Sequence, residues 1–551
     1  MKKLLALAML AACSSTPDGA GTLRFKVAAP VWRVADRTPL DHAPKERDYN
    51  RTLYHIDGYV ARRATRAMDV PRPKRAEDVN AFGEVPDSTW FTNRIGVRDM
   101  SLDELKEGAN HDPSPYTHRP WTITGAKVGG TSAGFVFEDT TGQKYLLKFD
   151  VPERPEMETG AHAIGHRIVW AAGYNVPEDY IEYIDRKDLV IGSKASKKDV
   201  FGNKESLTEQ DVDEALKTVY VREDGKIRVL ASRYLPGVPI GPYAREGTRK
   251  DDKNDTIPHE LRRSVRGQVP LFSVMNHTDM QEDNTLDAFI AYKGPDGKRG
   301  KEGHVVHYMI DFGKAFGVMG WGLHWKTVGY TYRVDIAKAL SSLFTLGLRP
   351  REWDAVSSPP YLGLGLYESE HYDPETWRPN SLYWPYEDID NVDGYWGAKI
   401  TMRFTPAQIE AIVGEAKFSD PRTSRYMADT IIARQRETVK YWFRQSSPLD
   451  TFTVNGSQLC FDDLAVHYEL EKTAGSRYSV EVFDGAGKQL SAARTLQGQE
   501  HSCIDVPTGS TADAYTVVRL SVQRNGNVIA PVLVHLAKLD GALVVIGIRR
   551  L

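Results

Sequence analysis

The chain has 551 residues, 41% of them hydrophobic, which is enough for two to four compact domains. Its 71 Lys and Arg residues nearly balance 74 Asp and Glu residues, for a formal net charge of −3. Because nucleic-acid binding calls for a basic surface, this balance predicts no nucleic-acid partner.

The first residues have the pattern of an export signal. Lys2 and Lys3 supply a positive start, and the apolar run Leu4 to Leu10 is too short to span a bilayer. The tetrad LAAC, which ends at Cys13, resembles the lipobox of bacterial lipoproteins, in which the cysteine becomes the lipidated first residue of the mature chain. The alternative is an ordinary secretory peptide with a chance cysteine.

The lipobox resemblance implies a signal peptide over residues 1–12, lipidation at Cys13 and a polar tether over residues 13–20. A non-acidic residue after the cysteine, here Ser14, is associated with sorting to the outer membrane. We therefore expect an exported protein, anchored by lipid at the outer membrane or cell surface. Loss of residues 1–12 removes two lysines and leaves a mature charge of about −5.

Two further cysteines, Cys460 and Cys503, lie in the last hundred residues. Since an exported protein reaches an oxidising compartment, we predict that they form a disulfide. Two buried free thiols remain the alternative, because spacing alone does not fix the geometry.

Both ends of the mature chain differ in character from its middle. Residues 21–120 are rich in Pro, Asp and Arg and are predicted to be irregular, with one short helix capped by Ser101 and Glu104. Pro421 to Gln445 predicts a long amphipathic helix. Residues 450–551 then carry short β-type runs between turn signals, which predicts a small β-sandwich.

The middle of the chain begins with β-type runs. Gly134 to Glu138 and Lys144 to Phe149 flank a turn sequence and predict a hairpin. Apolar residues from Ala161 to Ala172 then recur at helical spacing, and Gly173 closes that segment. The first half of this region, residues 121–240, is thus predicted to be rich in strands.

A second predicted hairpin ends at Asp311. It follows the polar loop Asn276 to Asn284 and pairs the apolar runs Leu286 to Tyr292 and Val305 to Ile310. An acidic side chain therefore lies where a strand ends.

Before the loop, three arginines on a predicted helix are expected to form a solvated face: Arg262, Arg263 and Arg266.

Two elements favour phosphate binding. The glycines Gly129, Gly130 and Gly134 allow a loop to approach phosphates closely, although most glycine-rich hairpins bind nothing. Lys148 is a charged residue inside the apolar strand YLLKF, where it must either snorkel at a sheet edge or meet a partner. Glu158, just before the helical stripe, is the expected partner, with Glu156 as the second candidate.

The loop from His277 to Asn284 resembles the catalytic loop of protein kinases, H-R-D-x-x-x-x-N, except that Thr278 replaces the arginine. Asp279 and Asn284 keep the family's spacing, and the triplet Asp311-Phe312-Gly313 follows 27 positions later. The same aspartate-to-asparagine interval occurs in atypical kinases of the HipA and phosphoinositide-kinase type. The order of elements is similar to the protein-kinase-like superfamily over residues 120–445.

This resemblance implies an α+β, bilobal protein-kinase-like fold. An N-lobe with an antiparallel sheet would span residues 121–240 and a mainly helical C-lobe residues 241–447. It also implies ATP and Mg²⁺ as cofactors. By position, the catalytic residue is Asp279, the metal ligands are Asn284 and Asp311, and the nucleotide-binding residues are Gly129, Gly130, Gly134, Lys148 and Glu158.

Three functions remain open. The first is an ATP- and Mg-dependent phosphotransferase acting outside the cytoplasm on a hydroxyl group of an unknown protein or small molecule. The second is a pseudokinase or binding lipoprotein, since no ATP pool is expected outside the inner membrane. The third is a nucleotidyl transferase on the same scaffold. The sequence contains every polar residue that phosphoryl transfer requires, which favours activity.

Overall fold

The computed structural model describes residues 24–68, 74–127, 133–198, 203–319 and 326–551. The predicted lipidation site Cys13, with its signal peptide and tether, lies outside these ranges, and so do Gly129 and Gly130. Within the ranges the chain is mixed α and β, with four sheets. None of the helices found there is long and apolar enough to cross a bilayer.

The chain divides into two compact units. The larger contains Arg33–Asp78 and Val85–Tyr441, and the smaller contains Trp442–Leu551, Val79–Glu84 and the described residues up to Trp32. The region expected to be irregular, residues 21–120, is therefore shared between the units.

The helices before residue 446 vary in length from one turn to seven. The predicted capping box of Ser101 and Glu104 is present, and the long C-terminal helix has the predicted bounds. A π-helical turn, Asp57–Ala61, joins the first two helices, so the N-terminal region is less irregular than expected. The helices are α1 (Arg51–Ile56), α2 (Arg62–Met68), α3 (Leu102–Glu107), α4 (Met157–Ala172), α5 (Glu209–Leu216), α6 (Arg263–Arg266), α7 (Gln268–Val274), α8 (Ile336–Phe344), α9 (Trp384–Glu387), α10 (Asn391–Met402), α11 (Pro406–Gly414) and α12 (Pro421–Gln445).

A seven-stranded sheet forms the first part of the larger unit. Its strands are β1 (Trp121–Ala126), β2 (Gly134–Glu138), β3 (Lys144–Phe149), β4 (Asp179–Ile184), β5 (Leu189–Lys198), β6 (Lys204–Ser206) and β7 (Ile227–Arg233). They lie in the order β4-β7-β3-β2-β1-β5-β6, antiparallel except for the β1/β5 pair. One face packs a fully buried core that includes Trp121, Phe137 and Leu147.

A smaller sheet follows, with β8 (Val238–Pro239), β9 (Thr285–Lys293) and β10 (Arg299–Met309) in the order β10-β9-β8. Met309 pairs with Thr285, and Ile310 N donates to Asn284 O at 3.0 Å. The predicted second hairpin is confirmed. The register of this hairpin places Asn284, the last residue of the polar loop, beside Ile310, which precedes Asp311.

The three arginines expected on a solvated face are buried instead, so that expectation is wrong. Arg262 pairs with Asp255 at 2.9 Å. Arg263 and Arg266 pair with the two carboxylate oxygens of Asp393, at 2.9 and 2.7 Å. Partners supplied by other segments make this burial tolerable, because a buried charge requires an opposite charge or hydrogen bonds.

The smaller unit contains two sheets that share one hydrophobic core. The first, in the order β11-β12-β15, and the second, in the order β14-β13-β16-β17-β18, are built from β11 (Leu449–Asn455), β12 (Gln458–Asp463), β13 (Ser476–Asp484), β14 (Arg494–Gln497), β15 (His501–Asp505), β16 (Thr516–Arg524), β17 (Asn527–Leu539) and β18 (Ala542–Arg550). A short helix, α13 (Leu464–His467), follows β12. Cys460 and Cys503, directly opposite each other on β12 and β15, form the predicted disulfide.

Candidate functional site

Lys148 lies on β3, an internal strand between β7 and β2. It pairs with Gly134 on β2 and Leu230 on β7. Because the strand is internal, the lysine cannot snorkel at a sheet edge, and its side chain is 5% exposed. A buried ammonium in this position needs an anion or a hydrogen-bond acceptor.

Two groups meet the Lys148 ammonium. Its Nζ donates to Asp311 Oδ1 at 2.7 Å and lies 2.8 Å from His162 Nε2. On the other side of the ring, His162 Nδ1 lies 3.3 Å from Oδ2 of the fully buried Asp179. Burial and the charge of Lys148 lower the pKa of His162, but Asp179 and Asp311 outweigh them and raise it above its ordinary value. The four side chains form one continuous network.

Opposite charges set the protonation of this network. Burial lowers the pKa of Lys148, but Asp311 and Glu158 outweigh that effect and raise it above its ordinary value. Partial burial raises the pKa of Asp311, whereas Lys148 and His162 hold it well below its ordinary value. Lys148 is therefore an ammonium and Asp311 a carboxylate across the physiological range.

The charge of Glu158, the predicted partner of Lys148, acts on the lysine and raises its pKa. Asp311 and His162 lie within hydrogen-bond distance of the lysine. His162 lies one turn further along α4 than Glu158, on the same face of the helix. Glu158 still borders the site, since a Cβ added to Gly313 would be 3.1 Å from Glu158 Cγ and 2.8 Å from His162 Nε2.

Asp150 fixes the start of α4 and so the position of His162. Its Oδ1 accepts the backbone N–H groups of Glu158 and Thr159 at 2.8 and 3.0 Å, and its Oδ2 accepts the Thr159 hydroxyl at 2.6 Å. Asp150 directly follows β3, the strand that carries Lys148. The buried Asp150 carboxylate therefore connects β3, which carries Lys148, to α4, which carries His162, by capping free backbone N–H groups at the start of the helix.

Asp311 has an unusual backbone conformation, with φ 63° and ψ 70°. This left-handed region is rarely occupied by residues other than glycine, and such strain is concentrated at functional sites. The next residue, Phe312, is fully buried, and its Cβ would be 2.9 Å from a Cβ added to Gly165 on α4. The centroid of the Phe312 ring lies 5.8 Å from that of the His277 ring. This packing holds the Asp311-Phe312-Gly313 triplet in place.

Asp279 is the centre of a second cluster. Its side chain is 4% exposed, and Oδ2 accepts hydrogen bonds from Lys314 Nζ at 2.7 Å and Asn284 Nδ2 at 3.1 Å. Gln281 Nε2 lies 3.5 Å from the other carboxylate oxygen. Lys314 was missed by sequence reasoning. The sequence feature that could have identified Lys314 as a site residue is its position directly after the Asp311-Phe312-Gly313 triplet.

The glycine-rich loop is described only at its two ends. Gly134, the first residue of β2, accepts a hydrogen bond through its carbonyl from Lys127 N at 2.9 Å. Lys127 also belongs to the site: burial lowers its pKa, the positive charges of Lys148 and Lys314 lower it further, and the negative charges of Glu158 and Asp311 raise it. Lys127 thus lies within electrostatic range of Lys148, Lys314, Glu158 and Asp311.

The predicted metal ligands suit Mg²⁺ in their chemistry. Asp311 offers a part-exposed carboxylate, 41% exposed, whose Oδ2 accepts no hydrogen bond from any residue that the structure describes. The amide of Asn284 uses only its nitrogen, which leaves its oxygen without a donor within the same described ranges. Carboxylate and amide oxygens are the ligands that hard divalent cations prefer.

A separate group of possible metal ligands is found on the smaller unit. Cys460, His501 and Cys503 place one ligand atom each within 4.8 Å of one another, but the two sulfurs form a disulfide. Metal binding requires thiolates, so this group is not a metal site while it is oxidised.

Comparisons of the whole chain with protein-family models, curated proteins and solved structures give no match.

Proposed function

We propose that this protein is an ATP- and Mg-dependent phosphotransferase of kinase-like fold, which acts on a hydroxyl group of a protein or small molecule. One observation carries the proposal: Lys148 on β3, Asp279 and Asn284 in the polar loop before β9, and Asp311 after β10 come from three segments and meet in two adjacent clusters. The hydrogen bond from Ile310 N to Asn284 O links the clusters at 3.0 Å. Phosphoryl transfer depends mainly on such positioning of charge.

A bilobal arrangement is part of this proposal. The seven-stranded sheet supplies Lys148, and the chain after β7 supplies Asp279, Asn284 and Asp311 before continuing into the helices α8 to α12. This order of elements supports an N-lobe at residues 121–240 and a C-lobe at residues 241–447.

The proposed roles follow from position and charge. Lys148 would bind phosphate oxygens, and Asp279 would orient the acceptor hydroxyl and receive its proton. As the acceptor oxygen bonds to the γ-phosphorus, the bond from that phosphorus to the bridging oxygen breaks and ADP leaves. Asp311 and Asn284 would hold Mg²⁺, which supplies positive charge against the phosphates.

Lys314 would position Asp279 in this reaction. Its ammonium donates to Oδ2, the carboxylate oxygen that Asn284 also contacts, and so fixes the direction of Oδ1, which has only the 3.5 Å contact with Gln281. A part-exposed lysine beside the proton acceptor can also neutralise a phosphate brought to the same place.

We also propose that the chain is an exported lipoprotein anchored at Cys13. The support is the positive start, the short apolar run and the LAAC tetrad. Cys13→Ser should release the protein from the membrane fraction. If the variant remains with the membrane as the wild type does, the anchor proposal is wrong.

The test of function separates binding from chemistry. Calorimetry should show ATP binding that depends on Mg²⁺ in the wild type and is lost in Asp311→Ala. Asp279→Asn should keep binding within a few-fold but lower phosphate transfer by roughly 10²-fold or more. Asp283→Asn makes the same chemical change four positions further along the loop and serves as the matched control.

The outcomes also separate the alternatives. Transfer of the nucleotidyl group instead of phosphate would identify a nucleotidyl transferase. Binding of Mg-ATP without transfer to any acceptor would identify a pseudokinase or binding module. Wild-type activity in Asp279→Asn would show that the catalytic loop is misassigned.

A further inference from the structure

The helix α8 carries an apolar stripe on the outside of the protein. Ile336, Leu340, Leu343 and Phe344 recur at helical spacing and so lie on one side of the helix. All four are exposed, Phe344 at 83%, and no residue of α8 is buried by the part of the chain that the structure describes. A helix that packs on a protein core would bury such a stripe.

The polar face of α8 is the one that contacts the rest of the larger unit. Lys338 Nζ donates to the Tyr330 carbonyl at 2.7 Å and pairs with Glu352 at 2.7 Å. Ser341 and Ser342, three and four positions after Lys338, share this face and are half-buried. The orientation of α8 is therefore the reverse of that of a core-facing amphipathic helix, since its polar side lies against the protein and its apolar side against solvent.

The turn that follows α8 extends the exposed apolar surface. Leu346 and Leu348 are 83% and 84% exposed. The turn closes through Gly347 N, which donates to Ser342 O at 2.9 Å, and through Leu346 N, which donates to Leu343 O at 3.1 Å. Leu346 has φ 50°, the left-handed conformation that glycine normally supplies at this position. A leucine thus occupies a position where glycine would be less strained, and its side chain is left in solvent.

The charges beside this apolar surface are positive. From residue 336 to residue 351 the chain has no Asp or Glu, although the whole chain has a net charge of −3. The nearest acid on either side is engaged, because Asp335 accepts the Lys338 backbone N–H at 3.0 Å and Glu352 pairs with the Lys338 ammonium. The segment contains three cations, Lys338 and the exposed Arg349 and Arg351.

We propose that α8 and the turn after it, residues 336–348, bind the surface of a lipid bilayer that contains anionic lipids. With nine residues, α8 is about 14 Å long, too short for a hydrocarbon core of ~30 Å. It would therefore lie in the plane of the interface, with Leu340, Leu343 and Phe344 against the acyl chains. Arg349 and Arg351 would meet the anionic headgroups.

A bilayer fits this surface better than a second copy of the chain does. A twofold dimer would use the same patch on both partners and so bring Arg349 and Arg351 toward like charges, whereas anionic headgroups would neutralise them. The proposed lipid anchor at Cys13 would also keep α8 close to a membrane, which raises the occupancy of a weak contact. This second argument rests on the proposed anchor, but binding of α8 to vesicles requires no anchor.

The test uses the full-length Cys13→Ser protein, which has no lipidated cysteine, and vesicles of phosphatidylethanolamine and phosphatidylglycerol. We expect the protein to sediment with the vesicles. Leu343→Ser with Phe344→Ser, added to the same protein, should weaken binding at least about tenfold, because two apolar contacts are lost. Both proteins have the same N-terminal apolar run, so that run cannot cause the difference.

A matched control removes exposed apolar side chains elsewhere. Leu53 on α1 and Val528 on β17 are 62% and 71% exposed. Leu53→Ser with Val528→Ser should leave vesicle binding unchanged. Equal weakening by this pair and by the α8 pair would overturn the proposal, because it would mean that binding reflects general surface hydrophobicity.

Leu346→Gly separates contact with the bilayer from damage to the fold. Glycine relieves the left-handed conformation, so denaturant unfolding should show a variant at least as stable as its parent. Its binding to vesicles should nevertheless weaken about threefold or more, because an apolar side chain is lost. Arg349→Gln with Arg351→Gln should weaken binding to these vesicles but not to vesicles of phosphatidylcholine.

Three results would overturn the proposal: no binding of the parent protein to vesicles, unchanged binding by the Leu343→Ser, Phe344→Ser variant, or a dimer that this variant disrupts without any vesicle binding. Binding through α8 alone should be reversible and weaken in high salt, unlike a lipid anchor. A membrane fraction washed in high salt therefore reports on Cys13, so the anchor and the α8 contact can fail separately.

Discussion

Lys314 donates a hydrogen bond to Asp279 at 2.7 Å, and the same distance separates Lys338 and Glu352 on the surface. The two ion pairs differ in burial, because Asp279 is 4% exposed and Glu352 is 55% exposed. Loss of its cation should therefore destabilise the protein far more at the buried Asp279 than at the exposed Glu352, since solvent screens the exposed pair.

Lys314→Met should accordingly lower the free energy of unfolding by about 1–3 kcal/mol, because it leaves a buried carboxylate without its cation. Lys338→Met should cost less than about 1 kcal/mol. Chemical denaturation of both variants measures the difference. In a transfer assay Lys314→Met should also lower the rate, by roughly 10²-fold, and Lys314→Arg should restore part of it. Equal stability losses in the two methionine variants would contradict the importance of burial.

His162 is expected to tolerate glutamine better than glutamate. Glutamine can accept from Lys148 and donate to Asp179, whereas glutamate would add a carboxylate beside Asp179 and Asp311. We expect His162→Glu to be less stable than His162→Gln by at least about 2 kcal/mol at neutral pH, because an unmatched buried charge is costly. Thermal and denaturant unfolding of the two variants would measure this difference in stability. A glutamate variant as stable as the glutamine variant would mean that Asp179 does not supply the charge that this network needs.

Local pattern predicted much of the fold. The hairpin of Gly134–Glu138 and Lys144–Phe149 and the helix Pro421–Gln445 have the predicted bounds, because turn chemistry and side-chain period are encoded in neighbouring residues. The disulfide was predicted from two cysteines in a chain that we expect to be exported. The π-helical turn Asp57–Ala61 had no such local signal.

Contacts between distant segments could not be predicted in the same way. His162 meets Asp179 on another element, and Lys314 meets Asp279 across 35 positions. The burial of Arg263 depends on Asp393, which is 130 positions away. Sequence pattern identifies which side chains are chemically capable, but only the packing of the chain decides which of them become partners.

Gly313 is predicted to be required for its lack of a side chain. In Gly313→Ala the new Cβ would lie 2.8 Å from His162 Nε2, so the ring or the loop must move. Since His162 contacts Lys148, we expect Mg-ATP affinity to fall about tenfold or more. Gly414→Ala, at the end of α11, would meet no atom within 4 Å and should be neutral or slightly stabilising. Calorimetry of both variants decides it, and an unaffected Gly313→Ala would show that this close approach is unimportant.

The disulfide should stabilise the smaller unit. Cys460 and Cys503 are 43 positions apart, and a loop of this length corresponds to roughly 4 kcal/mol in the chain-entropy model. The double variant Cys460→Ser with Cys503→Ser should therefore unfold at lower denaturant concentration. Peptide mapping without reduction would identify the linked pair directly. Recovery of both thiols in alkylatable form from exported protein would contradict the assignment.

His277 should make stability depend on pH. Burial lowers its pKa to about 4, although Asp279 and Asp311 act in the opposite direction. In the unfolded chain its pKa is about 6.5, so between these values the unfolded state binds the extra proton and the folded state does not. The free energy of unfolding should therefore fall as pH drops from about 6.5 to 4, by up to about 3 kcal/mol from this residue. In His277→Phe that part of the slope should disappear, while the contributions of His166 and His535, whose pKa values burial also lowers, should remain. Denaturant titrations of both proteins at a series of pH values would measure the difference, and identical slopes would show that His277 is not buried in its neutral form.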